Sequence, residues 1–195
     1  MLGIPLGLLY ANAAEWVIHK HVLHGLGKKR SSFWNFHWGE HHFHARKQGF
    51  RDPDYERSFL GWHAQGKEAA AVGLAVAAHL PLAGVAPWFT AAVVYSGANY
   101  LYKHRKSHLQ PEWAREKLTS HYDHHMGKNQ DANWCVTHPF FDHVMGTREY
   151  YAYTEAEKDD LERKQRRAAK RSAAANSQAD GKPVVAAGDD EQSAA

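Results

Sequence analysis

Histidine is the feature that most constrains this chain. The sequence has 195 residues and 16 histidines, all of which lie between His19 and His143. Neither solubility nor helix packing requires so many imidazoles, whereas imidazole is a common ligand of transition metals. Ten of the histidines fall into four short clusters: His19 and His24; His37, His41 and His42; His104 and His108; His121, His124 and His125. The clustering therefore predicts a fold built around bound metal ions.

The spacing within the clusters is typical of helices. Residues four apart on an α-helix point within about 40° of each other, whereas adjacent residues diverge by about 100°. Three pairs are therefore each predicted to address one metal: His37 with His41, His104 with His108, and His121 with His125. Each His-His step can aim at two neighbouring ions. His19 and His24 are predicted to serve different ions, since positions five apart diverge by about 140°. Ten imidazoles suit two ions with four or five ligands each.

Composition excludes several classes of function. The single cysteine, Cys135, allows no intrachain disulfide, no cysteine-based zinc module and no iron–sulfur cluster. The net charge of +3, from 24 basic and 21 acidic residues, is too balanced to predict a nucleic-acid partner. The chain also has no glycine motif for a flavin and no haem signature. A redox reaction at the metals would therefore need a separate partner that supplies electrons.

Two regions are apolar enough to suggest membrane segments. Residues 2–18 are apolar except for Asn12 and Glu15, and they lack the basic start of a signal peptide. Residues 69–102 predict two helices joined by an apolar turn, and both regions approach the roughly 20 residues that span a bilayer. Basic residues at 28–30 and 103–106 are typical of a cytoplasmic flank. No run alternates as a strand would.

We therefore predict an all-α fold. In this prediction the protein is a multi-pass integral-membrane protein, and a helical cap on the cytoplasmic face carries a dimetal site. The alternative is a soluble helical bundle with alanine-rich core helices. Residues 1–154 form the predicted working domain. Residues 155–195 are predicted to form a charged helix followed by a disordered tail, since they are too polar to bury a core.

The order of the clusters resembles the histidine motifs of the fatty acid hydroxylase/sterol desaturase superfamily. The four spacings are H-x4-H, H-x3-H-H, H-x3-H and H-x2-H-H, and the sequences EWVIHKHVLHG and FFDHVMGT match as context. The resemblance covers about residues 10 to 150. One departure is the three residues between His37 and His41, where the common family form has two. His44, or His21 beside the first cluster, is therefore an alternative ligand.

Membership of this superfamily of membrane enzymes implies a function. It implies two iron ions, with zinc able to replace them in isolated protein, as well as O₂ and an external electron donor. The implied reaction is hydroxylation of an unactivated C–H bond in an acyl chain or sterol-like lipid. The first motif is also similar to that of carotenoid hydroxylases, so a carotenoid or other isoprenoid ring is an alternative substrate, and lipid desaturation an alternative reaction. A membrane metal-binding protein without turnover, a structural zinc protein and a metal-dependent hydrolase are the remaining alternatives.

Histidine ligands usually donate their outward N–H to a carboxylate or carbonyl that orients the ring. The carboxylates predicted to do so are Glu15, Glu40, Asp123 and Asp142. His79 lies inside an apolar segment and His138 in a predicted turn, so neither is predicted to be a ligand.

Overall fold

The computed structural model describes residues 2–180 and divides into two compact units, Met1–Thr154 and Glu155–Ala195. Every regular element among the described residues is a helix, which confirms the all-α prediction. The helices of the first unit, in chain order, are α1 (Gly3–Ile18), π1 (His19–Leu26), π2 (Phe36–His42), α2 (Phe43–Lys47), a 3₁₀ turn (Pro53–Glu56), α3 (Ala64–His79), a second 3₁₀ turn (Leu80–Gly84), α4 (Pro87–Leu109), α5 (Pro111–Lys117), α6 (Thr119–Met126) and α7 (Phe140–Val144).

Helices α3 and α4 form the predicted hairpin, and α1 packs along α4. Helix α4 begins at Pro87, a residue suited to the first helical position because its missing N–H has no intrahelical partner there. Two glycines allow the helices to approach closely. A Cβ at Gly7 of α1 would lie 2.7 Å from the Cβ of Ala92, and one at Gly97 of α4 would lie 2.7 Å from a Cγ atom of Val76.

The prediction of a multi-pass integral-membrane protein is wrong. Within residues 2–180, no helix is both long enough and apolar enough to cross a bilayer. Helices α1 and α3 have 16 residues each, fewer than the roughly 20 that a span requires. Helix α4 has 23 residues, but its last two turns carry Lys103, Arg105 and Lys106.

The second unit consists, as far as the structure describes it, of helix α8 (Glu155–Asp180). Ion pairs along its surface, such as Arg166 with Glu162 at 3.0 Å, join residues one turn apart. The helix continues past the charged stretch to Asp180, because the alanines that follow Arg171 favour helix. Residues 181–195 of the predicted tail lie outside the described residues.

Candidate metal centre

The ten predicted ligands come together in the interior of the first unit, and none has more than 2 % of its surface exposed. Nine of them form two groups, and within each group the potential ligand atoms lie within 4.8 Å of one another. The first group contains His19, His24, His37, His42 and His124, and the second contains His41, His104, His108 and His125. The tenth, His121, adjoins the second group, since its Nε2 lies 3.0 Å from that of His108.

The first group depends on two π-helices, π1 and π2, which carry four of its five histidines. A π-helix bonds each N–H to the carbonyl five residues earlier, so residues five apart share one face. The backbone N–H of Gly27, for example, donates to the carbonyl of Val22 at 3.1 Å. As a result the rings of His19 and His24 lie 5.0 Å apart and belong to the same group. The prediction that these two point apart was wrong, because it assumed the α-helical period.

The structure also places His37 and His41 in different groups. These two were predicted to share a metal, but they belong to different groups, and the Nε2 of His37 lies 3.2 Å from that of His42 instead. On the regular helix α4 the prediction holds, because His104 and His108 share the second group.

Adjacent histidines connect the two groups. His42 belongs to the first group and His41 to the second, and His124 and His125 are divided in the same way. This agrees with the expected divergence of neighbouring positions. The rings of His42 and His125 lie 4.2 Å apart, so the two groups are adjoining halves of one centre.

Most of the imidazoles point one ring nitrogen outward to an acceptor. Backbone carbonyls accept the Nδ1–H of His19 (Trp134, 2.6 Å), His108 (Phe50, 2.8 Å) and His124 (Ala132, 2.6 Å). Side chains accept three more, namely Asp52 from His41 at 2.7 Å, Gln130 from His42 at 2.8 Å and Asp131 from His24 at 3.3 Å. The Nδ1 of His104 lies 2.6 Å from the carboxylate of Glu68 and 3.2 Å from the hydroxyl of Tyr55. A neutral imidazole with its proton on Nδ1 has a free lone pair on Nε2. These contacts therefore direct Nε2 lone pairs toward the interior.

The distances between the inward-pointing nitrogens suit a shared cation better than direct contact between the nitrogens. The Nε2 of His42 lies 3.1 Å from that of His24 and 3.2 Å from that of His124. Two lone pairs at this distance repel, whereas two nitrogens each about 2.1 Å from a shared ion stand about 3.0 to 3.4 Å apart, for angles between 90° and the tetrahedral value. Within the described residues, the buried Nε2 atoms of His41, His104 and His125 have no hydrogen-bond partner. The donor set therefore fits a pair of transition-metal ions.

Burial keeps nine of these imidazoles neutral. Burial, with a smaller contribution from repulsion by His104, lowers the pKa of His19 to about 3. Burial, followed by the same repulsion, also lowers the pKa of His24, His37, His41, His42, His108, His121, His124 and His125. Neutral imidazole is the form that binds metal.

In the described part of the chain, the four predicted carboxylates contact residues other than the ligand histidines. Glu15 accepts from the backbone N–H of Thr137 at 2.8 Å and Asp142 from that of Trp134 at 2.7 Å, so both secure the loop whose carbonyl orients His19. Burial raises the pKa of Glu15 to about 6. Asp123 pairs with Arg148 at 2.7 Å, and Glu40 lies 3.5 Å from Lys67.

The side chains that do contact the outward ring nitrogens are Asp52, Glu68, Gln130 and Asp131, and none of them was predicted from the sequence. They lie 11 to 107 residues from the histidines they contact, so no local spacing marks them. One signal was available for Glu68, which is the only carboxylate in an otherwise alanine-rich, apolar helix, α3.

Glu68 links the second group to two tyrosines. Its carboxylate accepts hydrogen bonds from Tyr55 at 3.1 Å and Tyr100 at 2.9 Å. Burial and the negative charge of Glu68 raise the pKa of both phenols, so they remain protonated donors. Glu68 is thus a positioning residue that holds the ring of His104.

Replacing this carboxylate should weaken metal binding. We expect Glu68→Gln to lower the metal affinity about 10- to 100-fold, because the amide cannot stabilise the His104 N–H as a carboxylate does. Titration against a competing chelator measures the affinity, and the absorption of the cobalt-loaded protein reports the geometry of the site. Glu40→Gln is the matched control, and an equal loss in both variants would contradict the role of Glu68.

The remaining histidines lie apart from the two groups. His21 is exposed at the surface of π1, against Trp16. His44 is half-buried beside Asp52 and Asp54, outside both groups. The described structure therefore places neither alternative ligand in the centre. His79 contacts the hydroxyl of Tyr10 at 2.8 Å, as expected of a packed residue.

An apolar cavity reaches the first group. It has a volume of about 830 Å³, lies among α1, α3 and α4, and has His19 in its lining. Its walls are mainly aliphatic, with Leu8, Val72, Val76 and Val93 among them. The carboxylates of Glu15 and Glu68 and the hydroxyl of Tyr100 also line it. A cavity of this size and character suits a long apolar molecule.

Comparison with known proteins finds no match among family models, curated proteins or solved structures. The resemblance to the fatty acid hydroxylase/sterol desaturase superfamily therefore depends on the histidine motifs, and membership of that superfamily stays a prediction.

Proposed function

We propose that this protein is a non-haem di-iron enzyme that hydroxylates an unactivated C–H bond of a lipid-like substrate, using O₂ and two external electrons. The observation that carries the proposal is that His19 belongs both to the first histidine group and to the wall of the apolar cavity. An apolar substrate in that cavity would meet the centre directly.

The chemistry of the donors favours oxidation over hydrolysis. Acid–base side chains cannot break an unactivated C–H bond, and bound iron would supply the one-electron chemistry with O₂ that this step needs. The donors within each group are all imidazoles. A hydrolytic metal site is more often completed by carboxylate ligands, which here lie outside the two groups.

The residues of the chain have three tasks in this proposal. The histidines hold the ions, and the outward acceptors such as Asp52 and Glu68 keep each ring in its orientation. The aliphatic walls of the cavity exclude water and align the substrate. Negative charge on Glu15 and Glu68, which line the cavity, disfavours an anionic group beside them, so the carbon that reacts belongs to the apolar part of the substrate.

A product assay tests the proposal. Iron-loaded protein is supplied with O₂, a reductant and either acyl lipids or carotenoids, and the lipids are analysed by mass spectrometry. We expect gain of one oxygen atom on the acyl chain, derived from isotopically labelled O₂. Oxygen on a carotenoid ring would support the isoprenoid alternative, and loss of two hydrogens would indicate desaturation. If the protein binds iron and no lipid changes, the proposal is wrong and metal binding without turnover replaces it.

A cavity variant links that activity to the structure. Ala71 lines the cavity on α3, and Ala77 on the same helix is exposed and does not line it. We expect Ala71→Phe to lower product formation at least about tenfold, because the ring occupies the space of the substrate, while Ala77→Phe retains activity. Both variants should keep their full metal content. Equal activity of the two variants would place the substrate elsewhere.

A further inference from the structure

A second cavity reaches the first histidine group by a different route. It has a volume of about 800 Å³, and His42 lies in its wall. Among the described residues, it shares no lining residue with the apolar cavity that has His19 in its lining. The centre is therefore approached from two separate openings of contrasting character.

The second cavity is strongly basic. Among the described residues its lining includes Lys28, Arg30, Arg46 and Lys47 and no carboxylate, although Lys28 pairs with Asp131 beside it at 2.6 Å. Arg30 and Lys47 are exposed at its opening. Arg46 is partly engaged, since its guanidinium donates to the backbone carbonyls of His125 and Gly127 at 2.7 and 2.8 Å. A concave surface with this charge attracts an acidic partner and speeds its association.

An indole ring connects this opening to the centre. The half-buried Trp38 lines the cavity and stacks on His42, with 5.2 Å between ring centroids and 30° between planes. The edge of the same indole approaches His24 at 4.8 Å. Trp38 therefore lies in the wall of the basic cavity and contacts two members of the first group.

From these contacts we propose that the basic cavity is the docking site of an acidic electron-carrier protein, and that Trp38 lies on the path of the electrons. This inference rests on the proposed function, in which one O₂, two electrons and two protons convert a C–H bond to C–OH and one water. Each reduced carrier is oxidised by one electron, so two carriers act in turn. The separate openings allow substrate and carrier to bind at the same time.

Binding of a reference carrier tests the docking site without turnover. The probe is an oxidised plant-type [2Fe–2S] ferredoxin, an acidic one-electron carrier, titrated calorimetrically into the full chain at low and high salt. We expect the double variant Arg30→Glu/Lys47→Glu to weaken binding at least about tenfold at low salt, with the difference shrinking at high salt. The matched control is Lys117→Glu, an exposed lysine outside the cavity, which should bind as the unmodified protein does. Equal affinities of the double variant and the unmodified protein would overturn the proposal.

Reduction kinetics separate this inference from the proposed function. In anaerobic stopped-flow experiments on iron-loaded protein, the double variant should accept electrons from reduced ferredoxin at least about tenfold more slowly. Reduction by dithionite, a small reductant that needs no docking surface, should be unchanged. If both reductants act equally on the variant and the unmodified protein, the docking site is wrong while the proposed function stands. If dithionite cannot reduce the bound metal, both are wrong.

Discussion

Protein loaded with iron after purification is expected to hold two metal ions per chain. The reason is that the buried imidazoles are divided into one group of five and one of four, each with its ligand atoms within 4.8 Å. Elemental analysis against the protein concentration measures the content, and a chelator-treated sample gives the baseline. A folded, fully loaded sample with one ion or none would contradict the division into two groups.

Substitution of one histidine in each group tests whether each group holds its own ion. We expect His24→Ala to reduce the metal content toward one ion through the first group, and His104→Ala to do so through the second. The two groups adjoin, so some loss at the neighbouring ion is expected. His21→Ala, which removes an exposed histidine from the same π-helix as His24, should leave the content at two.

Loss of activity is expected to be nearly complete in His124→Ala and His125→Ala. These adjacent residues belong to different groups, so each variant disables a different half of one centre. Changes to residues that merely orient ligands lower activity 10- to 100-fold, and removal of a ligand should therefore lower it by more than about 100-fold. The measurement is product formation at saturating O₂ and reductant.

The controls distinguish a lost ligand from a lost fold. Circular dichroism should show that both variants retain their helices, since the remaining histidines of each group stay in place. His21→Ala should keep nearly full activity. If His21→Ala and His125→Ala lost equal activity, the burial of a histidine would not identify it as a metal ligand.

Local patterns were sufficient for much of the architecture. The hairpin of α3 and α4 follows from two apolar runs separated by Pro81, Gly84 and Pro87, because proline and glycine interrupt helices wherever the rest of the chain goes. The pair His104 and His108 followed in the same way, since it lies on a regular α-helix. Hydropathy was the weaker guide, because apolar segments of 16 residues occur both in membranes and in packed hairpins.

The histidine content and its clustering, which the sequence alone determined, identified all ten residues that the structure brings together. Their partition into two groups was decided by the tertiary structure, because π1 and π2 depart from the α-helical period and align residues five apart. The acceptors Asp52, Glu68, Gln130 and Asp131 were likewise unpredictable, since hydrogen bonds between distant segments depend on how the helices pack. Side-chain chemistry is a property of each residue and can be read from the sequence, whereas the direction in which a side chain points depends on the helix type and on the neighbours that folding brings to it.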